Sequence, residues 1–206
     1  MKNKEICELL DSLYPDPKCP LNYSKDYELL IATVLSAQTT DLQVNNVTKE
    51  LFNKRTIYDI KDMDITEISE IIKSCGNNNK KSKFIKEIAR LLVEEHNGIV
   101  PNDRAYLESL PGVGRKTANV VLATIFNEPA FAVDTHINRV AKIFGIADEN
   151  DDIIIVEEKL CSFFERKDWG KRHLQMLYFG RYICKSQKPD CSTCKYSSKC
   201  KKKKCI

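Results

Sequence analysis

The chain has 206 residues, 42% hydrophobic and 30% charged, a globular composition long enough to bury a core without disulfide staples. No apolar run approaches the roughly 18 residues of a membrane span, and the opening Met-Lys-Asn-Lys-Glu leads into no signal-type apolar stretch, so a cytoplasmic protein with no membrane partner is expected. The net charge of +4 says little about partners, but it is uneven: Cys184 to Ile206 holds eight lysines and one acid, a local +7, which leaves the first 183 residues at −3.

Helical periodicity runs almost throughout. Ile6, Leu9, Leu10 and Leu13 make a first apolar stripe, ended by Pro15 and Pro17. Asp26 is placed as the N-cap of a helix over 27–37 that is apolar nearly all round and therefore buried. Asp41 is placed as the cap of a helix through Phe52, with Val44, Val47 and Leu51 inward. A helix over 66–75 stops at Gly76, and Phe84, Ile88, Leu91 and Leu92 define another that ends near Asn97-Gly98. Asp103 caps a short helix to Ser109, and the turn Pro111-Gly112-Val113-Gly114 leads into a helix carrying Ala118, Val121, Leu122 and Ile125. Asp134 or Thr135 opens the next, to Phe144. Ile153, Val156, Leu160 and Phe163 mark another, and Asp168 caps the last, to Tyr182. No stretch alternates with period two, so the expected fold class is all-α, with roughly ten helices.

Nine cysteines, an odd number in a chain read as intracellular, argue against a disulfide framework. Cys184, Cys191, Cys194 and Cys200 are separated by six, two and five residues. Four thiolates so placed can wrap one inorganic centre, and spacing alone leaves zinc and an iron–sulfur cluster level. The chain around them holds few large apolar groups, so bound metal would be what folds it and what presents Lys185, Lys188, Lys195 and Lys199 to phosphate. Cys7, Cys19, Cys75 and Cys161 read as small hydrophobes, and Cys205 as a free thiol in the lysine tail.

In the turn after Leu110, Gly112 and Gly114 permit positive φ and leave backbone N–H groups uncovered at a helix N-terminus. That end suits an anion such as a DNA phosphate. A plain packing turn is the alternative. Arg115 and Lys116 oppose the helix macrodipole there, which favours the anion.

Here the sequence resembles the endonuclease III group of DNA glycosylases. The resemblance rests on Leu110 to Val120, on Ala132-Val133-Asp134-Thr135-His136, on Leu35-Ser36-Ala37-Gln38-Thr39-Thr40-Asp41 and on the four late cysteines. It implies two helical lobes: a bundle over 22–131 with a helix-hairpin-helix near 104–123, and a discontinuous lobe of 1–21 with 132–206 whose cluster loop is 184–200. It further implies a monomeric base excision repair enzyme that removes oxidised pyrimidines from double-stranded DNA and cuts the abasic site by β-elimination.

Lys116 matches the family's nucleophile, an amine that forms a Schiff base at C1′ and is expected to be kept neutral by partial burial and the helix N-terminus. Asp134 matches the catalytic carboxylate, is a favoured N-cap residue as well, and is expected to face Lys116 across the cleft between lobes. Gly112, Val113 and Gly114 match the DNA-binding turn, and Gln38 the side chain inserted where a nucleotide has flipped out. His136 belongs to the motif without an assigned role. The cysteine spacing matches a 4Fe–4S cluster, which decides against zinc. The sequence departs from the family after Gly76, where Asn77 and Asn78 stand in place of an apolar second wedge; an Asn77 amide would offer hydrogen bonds instead. Two rival readings stand beside this one. A monofunctional adenine or mismatch glycosylase is disfavoured by Lys116, and a DNA-binding module without chemistry requires Lys116 and Asp134 to be bystanders.

Overall fold

A computed structural model describes residues 2–195, 197 and 200; Lys199, the lysines at 201–204 and Cys205 lie outside the described residues. Among the described residues every regular element is helical: α1 (Asn3–Leu13), α2 (Asp26–Leu35), α3 (Asp41–Leu51), α4 (Ile57–Asp62), α5 (Ile65–Ile71), α6 (Asn78–His96), α7 (Arg104–Ser109), α8 (Arg115–Ile125), α9 (Thr135–Phe144), α10 (Ile153–Phe163) and α11 (Trp169–Tyr178). A 3-10 turn spans Arg166–Asp168 and a π-helical turn Phe179–Ile183. None of these helices is long and apolar enough to cross a membrane. The chain forms two compact units, residues 19–126 and residues 1–18 with 127–206. Leu21 belongs to the core of the first, and Phe131 and Val133 to the core of the second, which sets where the junctions fall.

In the first unit α2 is the central element. Every residue from Leu29 to Leu35 is buried, and the helix packs on α3, α6 and α8, as a helix apolar on all sides must. Its cap is Lys25 rather than Asp26. The Glu28 carboxylate reaches back to the amides of Ser24 at 2.6 Å and Lys25 at 3.2 Å, which draws Asp26 into the first turn. Thr40 rather than Asp41 caps α3, its Oγ1 accepting the Gln43 amide at 3.3 Å. The helix expected over 66–75 is shorter. Asp64 caps it by accepting the Thr66 amide at 2.7 Å, and after Ile71 the chain continues in turns to Cys75. The additional α4 is closed by a Thr56–Asp59 capping box.

In the second unit α1 packs on α11, and α9 on α10 and α11, around Phe131, Ile137, Val140, Leu160, Met176 and Phe179. Asp11 is held by Arg172 at 2.8 and 3.1 Å, Lys171 at 2.7 Å and Gln175 at 3.0 Å. Burial works to raise its pKa, but these hydrogen bonds outweigh it and hold the carboxyl well below the usual range. The last α-helix stops at Tyr178, and the π-helical turn carries the chain to Cys184. Asp168 ends the 3-10 turn and makes no capping bond.

Candidate functional site

The hairpin of the first unit is built from both sides. Asp103 Oδ1 caps α7 by accepting the amides of Ala105 at 2.8 Å and Tyr106 at 3.2 Å. Leu110 and Val113 are buried and fasten the turn to the core, and the Val113 amide donates to Leu110 O at 3.1 Å. The two glycines differ. Gly112 has φ +78°, and a Cβ there would lie 2.5 Å from Cδ2 of Phe84, so conformation and packing both require glycine. Gly114 is the N-cap of α8 with φ −112°, and a Cβ there would meet nothing within 4 Å. The fold makes no demand for glycine at 114, and its bareness leaves the first amides of α8 uncovered. Lys116 is the second residue of α8 and is exposed, so the partial burial expected of it is absent.

Gln38, Asn77 and Gly112 line one cavity of 260 Å³, together with Lys80, Lys81 and Phe84. Gln38 and Asn77 both adopt the left-handed conformation, φ +57° and +60°, which residues with side chains take up uncommonly. Both are exposed, and the Asn77 side chain makes no capping bond. Asn78 donates to Ser69 Oγ at 2.8 Å, and Ser69 donates to Asn79 at 3.2 Å, so those two amides are engaged with α5 while Asn77 borders the cavity.

Lys80, Lys81 and Phe84 are cavity residues that motif reading passed over. The Lys80 ammonium lies 5.4 Å from the Phe84 ring centroid, a cation–π contact. Lys81 is 5% exposed, and its Nζ donates to Leu35 O at 2.9 Å, Ala37 O at 2.8 Å and Thr39 Oγ1 at 3.1 Å. Burial pushes its pKa down, with the nearby Cys75 thiol acting the other way.

In the second unit Asp134 is the N-cap of α9. Its Oδ1 accepts the amides of His136 at 2.9 Å and Ile137 at 2.8 Å, which fixes the direction of the carboxylate. Arg139, also passed over, sits one turn on. Its Nη2 donates to Gly180 O at 2.8 Å and Cys184 O at 2.9 Å, and lies 3.5 Å from His136 Nδ1. Gly180 lets α9 come this close, since a Cβ there would stand 3.0 Å from Cβ and 3.2 Å from O of His136.

The Cys184 amide donates to Phe179 O at 2.7 Å. Successive turns then join Cys194 to Cys191, Ser197 to Cys194 and Cys200 to Ser197, at 3.3, 3.0 and 3.2 Å. Cys184 and Cys194 pack against the unit's core. Among the described residues no three His, Cys, Asp or Glu side chains are grouped to hold a metal ion. Lys185, Lys188 and Lys195 are exposed on this segment.

The profile of the HhH-GPD superfamily of base excision DNA repair proteins matches residues 31–166. The endonuclease III of Bacillus subtilis (strain 168) is 41% identical over 203 residues, 98% of this chain and 93% of that protein. The endonuclease III of Escherichia coli (strain K12) is 42% identical over 203 residues, 98% of this chain and 96% of that protein. The chain belongs to the endonuclease III family. Among solved structures it is similar to endonuclease III in a trapped covalent DNA intermediate, the estranged-adenine complex, with TM-score 0.90, 41% identity and coverage of 98% and 96% of the two chains. It is also similar to a thermostable thymine-DNA glycosylase, with TM-score 0.85, 26% identity and coverage of 97% and 95%. The fold is thus shared with a glycosylase named for thymine. A shared fold does not fix the reaction; the residues of the site do.

Proposed function

We propose that this member of the endonuclease III family is a bifunctional glycosylase and abasic-site lyase. It removes oxidised pyrimidines from double-stranded DNA and then cuts the strand through a lysine Schiff base. The observation that carries this reading is Lys116 in the first turn of α8, two residues after a glycine that the fold itself does not require.

The glycine amides of the turn, at Gly112 and Gly114, and the N-terminus of α8 receive a phosphate, which positions the duplex without reading its sequence. The damaged nucleotide leaves the stack, and Gln38, beside Asn77, enters the gap. Lys116 Nζ attacks C1′ through its lone pair. The C1′–N bond breaks, and its electron pair leaves on the base, which takes up a proton. The attached amine loses a proton, the C1′–O4′ bond breaks as O4′ takes up a proton, and the opened sugar carries an iminium at C1′. That iminium acidifies the C2′ hydrogen; loss of this proton expels the 3′ phosphate as the C3′–O bond breaks, and water then frees the lysine. Asp134 takes the proton that the amine gives up once it is bonded to C1′ and opposes the positive charge developing on the sugar. Proton transfer of this kind contributes about 10²–10⁴ in rate. With one oxygen held by two backbone amides, Asp134 is pre-oriented for that role.

Cys184, Cys191, Cys194 and Cys200 fit a 4Fe–4S cluster by donor type: four cysteines within one short segment, with three of them joined by consecutive turns. Those residues would hold the cluster, which when bound cross-links 184–200 and draws the four sulfurs together. Lys185, Lys188 and Lys195 would then meet phosphates from a fixed backbone. The test of the whole reading is a panel of duplexes with single lesions. Release of an oxidised pyrimidine with strand scission is expected. Base release with an intact strand would favour a monofunctional glycosylase, and binding without either would favour a non-catalytic module.

A further inference from the structure

We infer that Lys81 is a positioning residue for DNA engagement: its buried ammonium clamps the turn at the end of α2 in the shape that presents Gln38 to the duplex. This rests on the reading of Gln38 as a DNA contact.

An ammonium has three N–H donors, and here three acceptors take them: the carbonyls of Leu35 and Ala37 and the hydroxyl of Thr39. The acceptors straddle Gln38. A left-handed residue with a side chain costs about 1–2 kcal/mol, so the turn needs outside support to hold Gln38 at φ +57°. The Thr39 amide bonded to Ser36 O at 3.2 Å closes the turn from within, and Lys81 braces it from beneath. The last carbonyls of a helix lack intrahelical partners, and its C-terminal dipole favours a cation. Leu35 is the last residue of α2, so its carbonyl is such an acceptor.

None of these three acceptors is a carboxylate. A lysine buried against neutral acceptors gains less than a paired one, so general stability is a poor reason for placing it there. The same residue also fixes the other side of the cavity. Its backbone amide donates to Asn77 O at 2.9 Å, in the first turn of α6. One lysine thereby ties together the two left-handed residues that border the cavity. Its side chain brackets Gln38 through Ala37 and Thr39, and its main chain, together with that of Lys80, bonds Asn77 O.

The test is a double-mutant cycle on the full-length protein. The probe is a duplex with a tetrahydrofuran abasic analogue opposite 2-aminopurine. Affinity is read by anisotropy, and filling of the gap by 2-aminopurine fluorescence. Borohydride trapping is then timed at saturating abasic DNA. Lys81→Met should weaken binding roughly tenfold and alter the fluorescence, with a smaller loss in the trapping rate; in a Gln38→Ala background it should add less than about twofold. Thr39→Val should weaken binding in the same direction, and Thr39→Ser, which keeps the hydroxyl, should restore it. If Lys81→Met does not fold, the Thr39 pair carries the test alone. Multiplicative losses in the cycle, or equal losses from Thr39→Val and Thr39→Ser, would overturn the inference. If Gln38→Ala alone binds like the wild type, the DNA-contact reading of Gln38 fails first, a result distinct from those two.

Discussion

The two glycines of the hairpin should separate stability from binding. In Gly112→Ala the new Cβ would stand 2.5 Å from Phe84 Cδ2 and 3.0 Å from Cε2, at a backbone φ of +78°. The left-handed conformation costs alanine about 1 kcal/mol, and forcing a methyl into occupied space adds about 1–3 kcal/mol, for a total of about 2–4 kcal/mol. The Phe84 ring can relieve the clash only by shifting, and it lines the same cavity as Gln38 and Asn77, so binding falls as well. In Gly114→Ala the new Cβ meets nothing and φ is −112°. Alanine is a poorer N-cap by roughly 0.5 kcal/mol, while the loss of unfolded-state freedom returns a similar amount, so stability should stay within about 0.5 kcal/mol of wild type. Its methyl would nonetheless stand where a phosphate approaches the amides of α8. Urea unfolding and anisotropy on an abasic-analogue duplex measure the two effects. Gly112→Ala should lose both stability and affinity, and Gly114→Ala affinity alone. A Gly112→Ala protein as stable as wild type, or a Gly114→Ala protein with undiminished affinity, would refute the reasoning.

Asp134→Asn keeps a capping oxygen, so its melting temperature should barely move while strand cleavage falls at least about a hundredfold; Asp134→Ala should also lose about 1 kcal/mol of stability with the cap. Equal cleavage by Asp134→Asn and wild type would leave the carboxylate with a capping role only. Changing Lys185, Lys188 and Lys195 together to glutamine should reduce the slope of log affinity against log salt by about 2.7 if all three meet phosphates, and an unchanged slope would remove them from the interface. Cys194→Ser should lose most of the copurifying iron and make the 184–200 segment sensitive to protease. Full iron retention, or zinc in its place, would contradict the cluster assignment.

Long apolar periodicity made most of the helices readable from the sequence, as in α9, where Ile137, Val140, Ala141 and Phe144 are all buried. Helix α4 was not readable: six residues are too few to display a period, and its Thr56 cap was a weaker signal than the Asp103 that marked the equally short α7. The caps at Asp26 and Asp41 were each misplaced by one residue. A glutamate in the first turn and a neighbouring threonine competed for the same amides, and local pattern does not rank such competitors. Gln38, Asn77 and Gly112 were legible as separate motif positions, and the structure brings them to one cavity. Lys81 was not legible. It lies in a polar run from Asn77 to Lys83 that looks solvated, and its acceptors are 42 to 46 residues away in the chain. Arg139 was hidden for the same reason, since Gly180 and Cys184 reach it only through tertiary packing.

The central claim, a covalent Lys116–sugar intermediate, is tested most directly by borohydride reduction during turnover on a duplex carrying one oxidised pyrimidine. Wild type should give a stable protein–DNA adduct whose peptide map places the sugar on Lys116, and Lys116→Gln should give none. An adduct of undiminished yield with Lys116→Gln, or released base with no adduct from the wild type, would contradict it.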